Sequence, residues 1–390
     1  MRRPARPIPH GRQTITDDDI AAVVATLRSD FLTQGPQVAA FERAFCEYTG
    51  ARFAVAVANG TAALHLGALA LGADASSRVI TTPITFAASA NCVRYCGGNV
   101  AFADIDPETL LLDLAAVRRL LESAPRGHFQ GIIPVDFAGK PLPMDAFRAV
   151  ADEFGLWIME DACHALGGHF TDGRGELQRC GNARFAELTV FSFHPVKHVT
   201  TGEGGMLTTD SPELYDKLVR LRTHGITKDP ARMQQNPGGW YYEMQELGFN
   251  YRLSDLQAAL GTSQLARAEA GVARRRELAR RYDQAFAGTA VRSFPAVSGE
   301  GHAYHLYVVE VDERRRVYDE LRERQILTQV HYIPVHTMPY YQATGFEGGP
   351  FPRAEAYAAR ALSLPMYPGL TDEEQAYVIE SVLAVTSPRR

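Results

Sequence analysis

Between residues 53 and 209 short apolar runs alternate with helical stretches, and this alternation limits the possible fold more than any other feature of the chain. Phe53 to Val57, Arg78 to Thr81, Val100 to Asp104, Ile132 to Val135 and Leu156 to Met159 read as strands. Helices are expected from Ala62 to Leu69, through Cys96, and over about 113–124 and 143–154. The strands are apolar at nearly every position, so both faces of their sheet must be covered. Repeated βα units of this kind give an α/β fold with a parallel or mostly parallel central sheet, and ligands of such sheets collect at the carboxyl ends of the strands.

After residue 210 the pattern changes. A helix from Pro212 to His224 leads into an irregular, aromatic and Gln-rich flap ending near Tyr242, and a helical stretch from Asp255 to about Ala287 is long enough to link domains. A strand at Tyr304 to Val311, a helix at Arg314 to Arg324, a strand at Ile326 to Tyr332 and helices over about 353–361 and 371–385 then make a smaller C-terminal α/β domain. The expected division is an N-terminal arm and helix over 1–30, a large domain over 31–265 and a small domain over 266–390, within reach of 390 residues. A net charge of -5 argues against nucleic acid or an anionic membrane as partner. No run of eighteen apolar residues occurs, and the first residues lack the apolar core of a signal peptide, so a cytoplasmic protein is expected. The five cysteines include no CxxC pair, so neither a disulfide framework nor a metal site is expected.

Three stretches carry candidate chemistry. The first is Leu188 to Met206, where a strand-like run ends at Lys197 and a Gly-rich loop follows. Lys197 reads either as a solvated strand-end lysine or as an amine in a dry site that forms a Schiff base with a carbonyl, and this stretch alone does not decide. The second is Leu156 to His164, where alternation sends Glu160 and Asp161 to opposite sides of the sheet. A carboxylate there is a helix cap, or it is the partner that keeps a pyridine nitrogen protonated, as pyridoxal phosphate requires beside its lysine. The third is Asn59-Gly60-Thr61-Ala62, where a strand turns on glycine into a helix and forms an anion seat. Gly60, Thr61 and Ala62 with the Ser192 hydroxyl could hold a phosphate, and Phe86, which by burial habit would be core, could face a cofactor ring. The glycines of 202–205 precede a strand and do not fit a dinucleotide fingerprint, Ser192 lacks the G-x-S-x-G elbow, and His331 and His336 do not share a helix face for metal.

Asn59-Gly60-Thr61-Ala62-Ala63-Leu64, Glu160-Asp161-Ala162-Cys163-His164-Ala165, Phe191 to Lys197, Thr200 to Gly205 and Gly248-Phe249-Asn250-Tyr251-Arg252 together resemble the DegT/DnrJ/EryC1/StrS family of sugar aminotransferases over essentially the whole chain. The resemblance implies a fold-type I architecture, pyridoxal 5'-phosphate covalent to Lys197 with pyridoxamine phosphate as its aminated form, and a homodimer with shared active sites. It implies Asp161 at the pyridine nitrogen, His164 near the phenolic oxygen, Phe86 on the ring, Thr61, Ala62 and Ser192 at the phosphate, and Asn250 from the partner subunit. Within the family, Ile8 to Gln13, Ser29 to Pro36, Ser192 to Lys197 and Val330 to His336 resemble the branch that uses L-glutamate to aminate C4 of a UDP-4-keto-6-deoxy-N-acetyl-hexose on the route to pseudaminic acid. That branch places His10, Asp30, Phe31, Leu32, Thr33, His331 and Tyr332 near the UDP-sugar, although it often has tyrosine where this chain has His10.

Overall fold

The computed structural model describes Pro4, residues 6–294 and residues 301–387. Its centre is a seven-stranded sheet of β1 (Phe53–Val57), β2 (Arg78–Thr81), β3 (Asn99–Phe102), β4 (Gly131–Ile133), β5 (Trp157–Asp161), β6 (Leu188–Ser192) and β7 (Gly205–Thr209). The spatial order is β1-β7-β6-β5-β4-β2-β3. All neighbours are parallel except β7, which runs antiparallel to both β1 and β6. Helices fill the crossovers, as the apolar runs require. The helix Gly60–Ala70 is buried along most of its length against the sheet, and Gly67 allows that contact, since a Cβ there would lie 2.4 Å from Met159 Sδ.

The C-terminal part has its own core, in which Leu278, Tyr282, Val309, Leu362 and Val378 pack together. Several features differ from the sequence expectation. Ile8–Pro9 pairs in parallel with Ile326–Leu327, so the N-terminal arm enters this second core through Ile8. Val335, Tyr341, Phe351 and Tyr357 instead pack into the core of the large sheet. The strand expected from Ile326 to Tyr332 is only Ile326–Leu327, and the single linking helix is two, Asp255–Leu265 and Ala268–Phe286. The sequence pattern missed the strand Ala361–Leu364, which pairs with Tyr307–Glu310 and is too short and too uniformly buried to alternate.

The N-terminal helix Asp17–Leu27 is tied down by one carboxylate. Asp19 accepts hydrogen bonds from Thr16 N at 2.9 Å, Ser263 Oγ at 2.6 Å, Gln264 Nε2 at 2.8 Å and Arg267 Nη2 at 2.5 Å. Desolvation would raise its pKa, but these donors together hold it below the ordinary carboxylate value. Behind the junction with the C-terminal part, buried Arg275 donates from Nη1 to the carbonyls of Tyr304 at 3.1 Å, His305 at 3.3 Å and Met366 at 2.7 Å.

Candidate active site

The anion seat forms where β1 passes through Asn59 into the helix Gly60–Ala70. Asn59 Oδ1 accepts from Ala62 N at 2.8 Å, which leaves the Gly60 and Thr61 amides as first-turn donors without intrahelical partners. Two close approaches shape the seat. A Cβ on Gly60 would lie 2.9 Å from Ser192 Cβ, and one on Gly205 would lie 2.5 Å from Asn59 O. Glycine at these positions brings the end of β6 and the start of β7 against the helix start, so the Ser192 side chain stands beside the amides. An anion there meets the positive end of the helix dipole.

Lys197 does not end a strand as the sequence suggested. β6 stops at Ser192, and Lys197 sits in the turn that follows, its N–H donating to His194 O at 2.8 Å. Phe193 closes the loop: its N–H donates to Gly204 O at 2.8 Å, and its carbonyl accepts from Thr201 N at 3.0 Å and Thr200 Oγ1 at 3.2 Å. Phe86 likewise lies beyond the end of β2, in the turn before the helix Ala88–Tyr95. It is 60% exposed, against the burial habit of its residue type.

Asp161 ends β5, buried. Its Oδ2 accepts from Ser89 Oγ at 2.6 Å and its Oδ1 from Cys163 N at 3.2 Å, while Ser89 Oγ also meets Thr85 Oγ1 at 2.8 Å. Burial lowers the pKa of the Lys197 amine, and the nearby Cys163 and Asp161 oppose that shift. Glu160 faces the other side of the sheet as alternation requires, accepting from Thr189 Oγ1 at 2.8 Å. There it is grouped with buried Asp136 and Cys180. Burial, then each other's charge, push the Asp136 carboxyl well up, and burial pushes up Glu160, so one proton held between two facing carboxyls accounts for their contact.

His164 has a fixed tautomer. Nδ1 accepts from Ala138 N at 3.2 Å, so Nε2 carries the proton and donates to Tyr332 Oη at 3.1 Å. Ala138 presents its N–H from a left-handed conformation, φ 59°, ahead of Gly139, whose Cβ would lie 2.7 Å from His164 O. Burial first, then the charge of Lys197, keeps the His164 ring neutral. Tyr332, expected on the sugar side, is therefore bonded to a residue expected on the cofactor side, and its ring is 6.3 Å from that of Phe86. His331 Nδ1 is 2.8 Å from Ser363 Oγ and its ring is 5.5 Å from that of His10. Burial, then His10 and Lys197, lower the His331 pKa to about 3.

One chain thus brings Lys197, Asp161, His164, Tyr332, His331, His10 and Phe86 to one place, with Ser192 and the helix start at Gly60 alongside Cys163. It does not bring the other expected residues there. Asp30, Phe31, Leu32 and Thr33 are exposed at the start of the helix Asp255–Leu265, where Leu32 O accepts from Asp255 N at 3.0 Å. Asn250 is exposed and bridges Thr223. Sequence reasoning missed Ser89, in the first turn of the helix Ala88–Tyr95, and Ala138, His198 and His305, which lie in turns and loops without periodic pattern; only the density of histidine in His302-Ala303-Tyr304-His305 hinted at the last.

The residues fit pyridoxal phosphate. They supply a dry amine, a buried carboxylate whose charge reaches it, free amides beside a hydroxyl at a helix start, and an exposed aromatic ring among buried neighbours.

Residues 13–383 match the DegT/DnrJ/EryC1/StrS aminotransferase family. The chain is 41% identical over 384 residues to the spore coat polysaccharide biosynthesis protein SpsC of Bacillus subtilis, covering 96% of each. Among solved structures, Helicobacter pylori PseC, an aminotransferase involved in the biosynthesis of pseudoaminic acid, superposes with a TM-score of 0.88 at 29% identity, covering 98% of this chain and 99% of that one. The putative sugar aminotransferase Spr1654 of Streptococcus pneumoniae, in its PMP form, gives a TM-score of 0.87 at 30% identity over 97% of this chain and 99% of the other.

Proposed function

Because the chain belongs to the DegT/DnrJ/EryC1/StrS aminotransferase family, we propose that it moves the amino group of L-glutamate to C4 of a UDP-4-keto-6-deoxy-N-acetyl-hexose, on the route to pseudaminic acid. The coarser statement stands without proposal: this is a sugar aminotransferase of fold type I, and its cofactor is pyridoxal 5'-phosphate. The observation that carries the finer reading is the meeting of His10, His331 and Tyr332 at Lys197, since these are the residues expected to face the sugar nucleotide. Likeness to PseC along nearly the whole chain adds support.

Bound pyridoxal phosphate supplies an electron sink for the carbon that gains or loses the amine. Asp161, held in place by Ser89 and the Cys163 amide, would be the carboxylate that pairs with the ring nitrogen. Gly60, Thr61 and Ser192 bind the phosphate. In each half of the reaction Lys197, its amine made less basic by burial, would take the proton from one side of the substrate–cofactor pair and return it to the other. His164 and Tyr332 form one fixed unit, and Phe86 covers the ring. Asn250, Phe31 and Leu32 act across a homodimer interface; the exposure of Phe31 at 53%, Leu32 at 46% and Trp240 at 77% in a single chain supports that reading.

A second reading, a different NDP-keto-sugar destined for a cell-surface polysaccharide, is favoured by the 41% identity to a spore coat polysaccharide protein. Incubation of purified protein and glutamate with a panel of UDP- and dTDP-4-keto sugars, with 2-oxoglutarate release measured and product configuration read by NMR, separates the two. Turnover of the UDP-N-acetyl sugar alone supports the first; turnover confined to a dTDP-sugar overturns it.

A further inference from the structure

The exposed segment over residues 30–33 is anchored from behind by one buried carboxylate. Asp255 is fully buried, and both its oxygens go to the backbone that follows the segment: Oδ1 accepts from Gly35 N at 2.9 Å and Oδ2 from Gln37 N at 3.0 Å. Its own N–H donates to Leu32 O at 3.0 Å, and the preceding Ser254 bridges Thr33. Two helix starts meet the buried charge. Asp255 is the first residue of the helix Asp255–Leu265, and its carboxylate also caps the helix Pro36–Thr49, whose own N-cap, Gly35, has no side chain to offer.

The segment between these anchors has a fixed shape. Gln34 is held in the left-handed region, φ 56°, which L-residues avoid unless their surroundings impose it. A Cβ on Gly35 would lie 2.4 Å from Phe31 Cβ and 2.5 Å from Asp255 Oδ2, so only glycine lets the Phe31 side chain and the carboxylate approach the same backbone atom. Ahead of the segment, Asp19 ties the preceding helix to Ser263 and Gln264 of the helix Asp255–Leu265. The backbone is thus pinned on both sides to one helix, while Phe31 and Leu32 remain 53% and 46% exposed. Ordering a loop costs conformational entropy, and holding apolar side chains in water returns nothing to the fold. Such order is useful to whatever lands on the segment. The same helix start also reaches the lysine loop: Gln257 donates from Nε2 to Glu203 O at 2.7 Å, and that carbonyl accepts from Thr201 Oγ1 at 2.6 Å. Asp255 serves the rim, and Gln257, two residues on, serves the loop after Lys197.

We propose that Asp255 is a positioning residue for the sugar nucleotide. By fixing the backbone around residues 32–37 it presets Phe31 and Leu32 in the arrangement that receives the substrate, so the entropy of ordering them is lost on folding and is not drawn from binding. The inference rests on the proposed place of Phe31 and Leu32 at the sugar nucleotide and deepens it: the side chains of the rim are open, but its backbone is set.

The test uses the full-length holoenzyme with a UDP-4-keto-6-deoxy-N-acetyl-hexose and reads the two half-reactions separately. Asp255→Asn keeps the volume and turns an amide NH2 against one of the two backbone N–H groups. It should raise KM for the sugar nucleotide about tenfold, the scale of one hydrogen bond to a charged group. The single-turnover rate with glutamate should stay at the wild-type value. Gly35→Ala, whose Cβ parts Phe31 from Asp255, should do the same. Because Asp255 acts through the rim residues, adding Asp255→Asn to Phe31→Ser/Leu32→Ser should raise KM no further. An unchanged KM in Asp255→Asn, both half-reactions slowed alike, or effects that add to those of the serine pair would overturn the proposal. Should Asp255→Asn fail to fold, Gly35→Ala carries the same expectations. A serine pair that itself leaves KM unchanged overturns the rim as the seat of the sugar, and the role of Asp255 with it; a serine pair that raises KM beside an Asp255→Asn that does not overturns the role of Asp255 alone. If the wild-type protein turns over only dTDP-4-keto-6-deoxyglucose, the proposed sugar falls, and the same comparison with that substrate still decides Asp255.

Discussion

The floor of the site and its rim are built in opposite ways. On the floor, Asp161, Ser89, His164 and Asn59 each hold named partners at hydrogen-bond distance, and most of their neighbours are buried. On the rim, Phe31, Leu32, Phe86, Asn250 and Trp240 stand in solvent. A single chain therefore assembles most of the half that takes the cofactor, Phe86 and Asn250 apart, and leaves exposed the Phe31 and Leu32 side of the half expected to take the sugar nucleotide. Preorganised groups need no rearrangement at the moment of reaction, which suits chemistry common to every substrate. An open rim suits a surface finished by a second subunit and free to differ between sugars.

The comparison breaks first if the floor is dispensable. Lys197→Ala should abolish turnover and the absorbance of the cofactor adduct, while its fold, followed by circular dichroism, stays intact. Retained turnover would mean that another amine does the work and that the order seen on the floor is merely structural.

Acid tests the floor as a whole. His164, His198, His302, His305 and His331 all have pKa values lowered first by burial. Each is neutral when folded and takes up a proton on unfolding once the pH drops below about 6.5. A depressed folded pKa in a base means that stability is present above the unfolded value and is lost as pH falls. Each histidine adds a slope of about 1.4 kcal/mol per pH unit below that point. Urea unfolding at pH 7.5, 6.0 and 5.0 should show a steep fall in midpoint between the last two. A flat profile would show that the rings are hydrated and the floor is not dry.

A narrower cut separates charge from geometry on the same floor. Asp161→Asn keeps an acceptor for Ser89 Oγ and removes the negative charge. We expect a loss in kcat of about 10²-fold or more, the scale on which a proton held at the wrong atom acts, with the protein still folded. Ser89→Ala, which keeps the charge and removes its clamp, should lose less. Equal losses would mean that position outweighs charge at this carboxylate.

The division between floor and rim also marks what could be read without coordinates. The sheet was legible because each βα unit repeats one pattern, and Asp161 and Gly60 were legible because they sit where strands stop. Lys197 and Phe86 were found by residue type, yet Lys197 was placed at a strand end when it lies in a turn; nothing in a run such as Phe-Ser-Phe-His-Pro-Val-Lys says that pairing stops at Ser192. His305 and Ala138 were illegible because their roles arise from contact between segments far apart in sequence, Leu306 N with Ala138 O among them. Tyr332 was assigned to the sugar, and only its hydrogen bond to His164 reveals that it also belongs to the floor.

The smallest expected effect falls on the rim. In one chain Phe31 and Leu32 are about half exposed and touch solvent, so replacing both by serine should change the unfolding free energy of the isolated subunit by no more than about 0.5 kcal/mol for each. If the rim is finished by a second subunit, the same pair of changes weakens the dimer and raises KM for the sugar nucleotide. The half-reaction with glutamate, which uses the floor, then keeps its rate. Analytical ultracentrifugation and single-turnover absorbance on Phe31→Ser/Leu32→Ser would read both. A variant that dimerises as before, binds sugar as before and loses the glutamate half-reaction would reverse the assignment, because the exposed pair would then serve the floor.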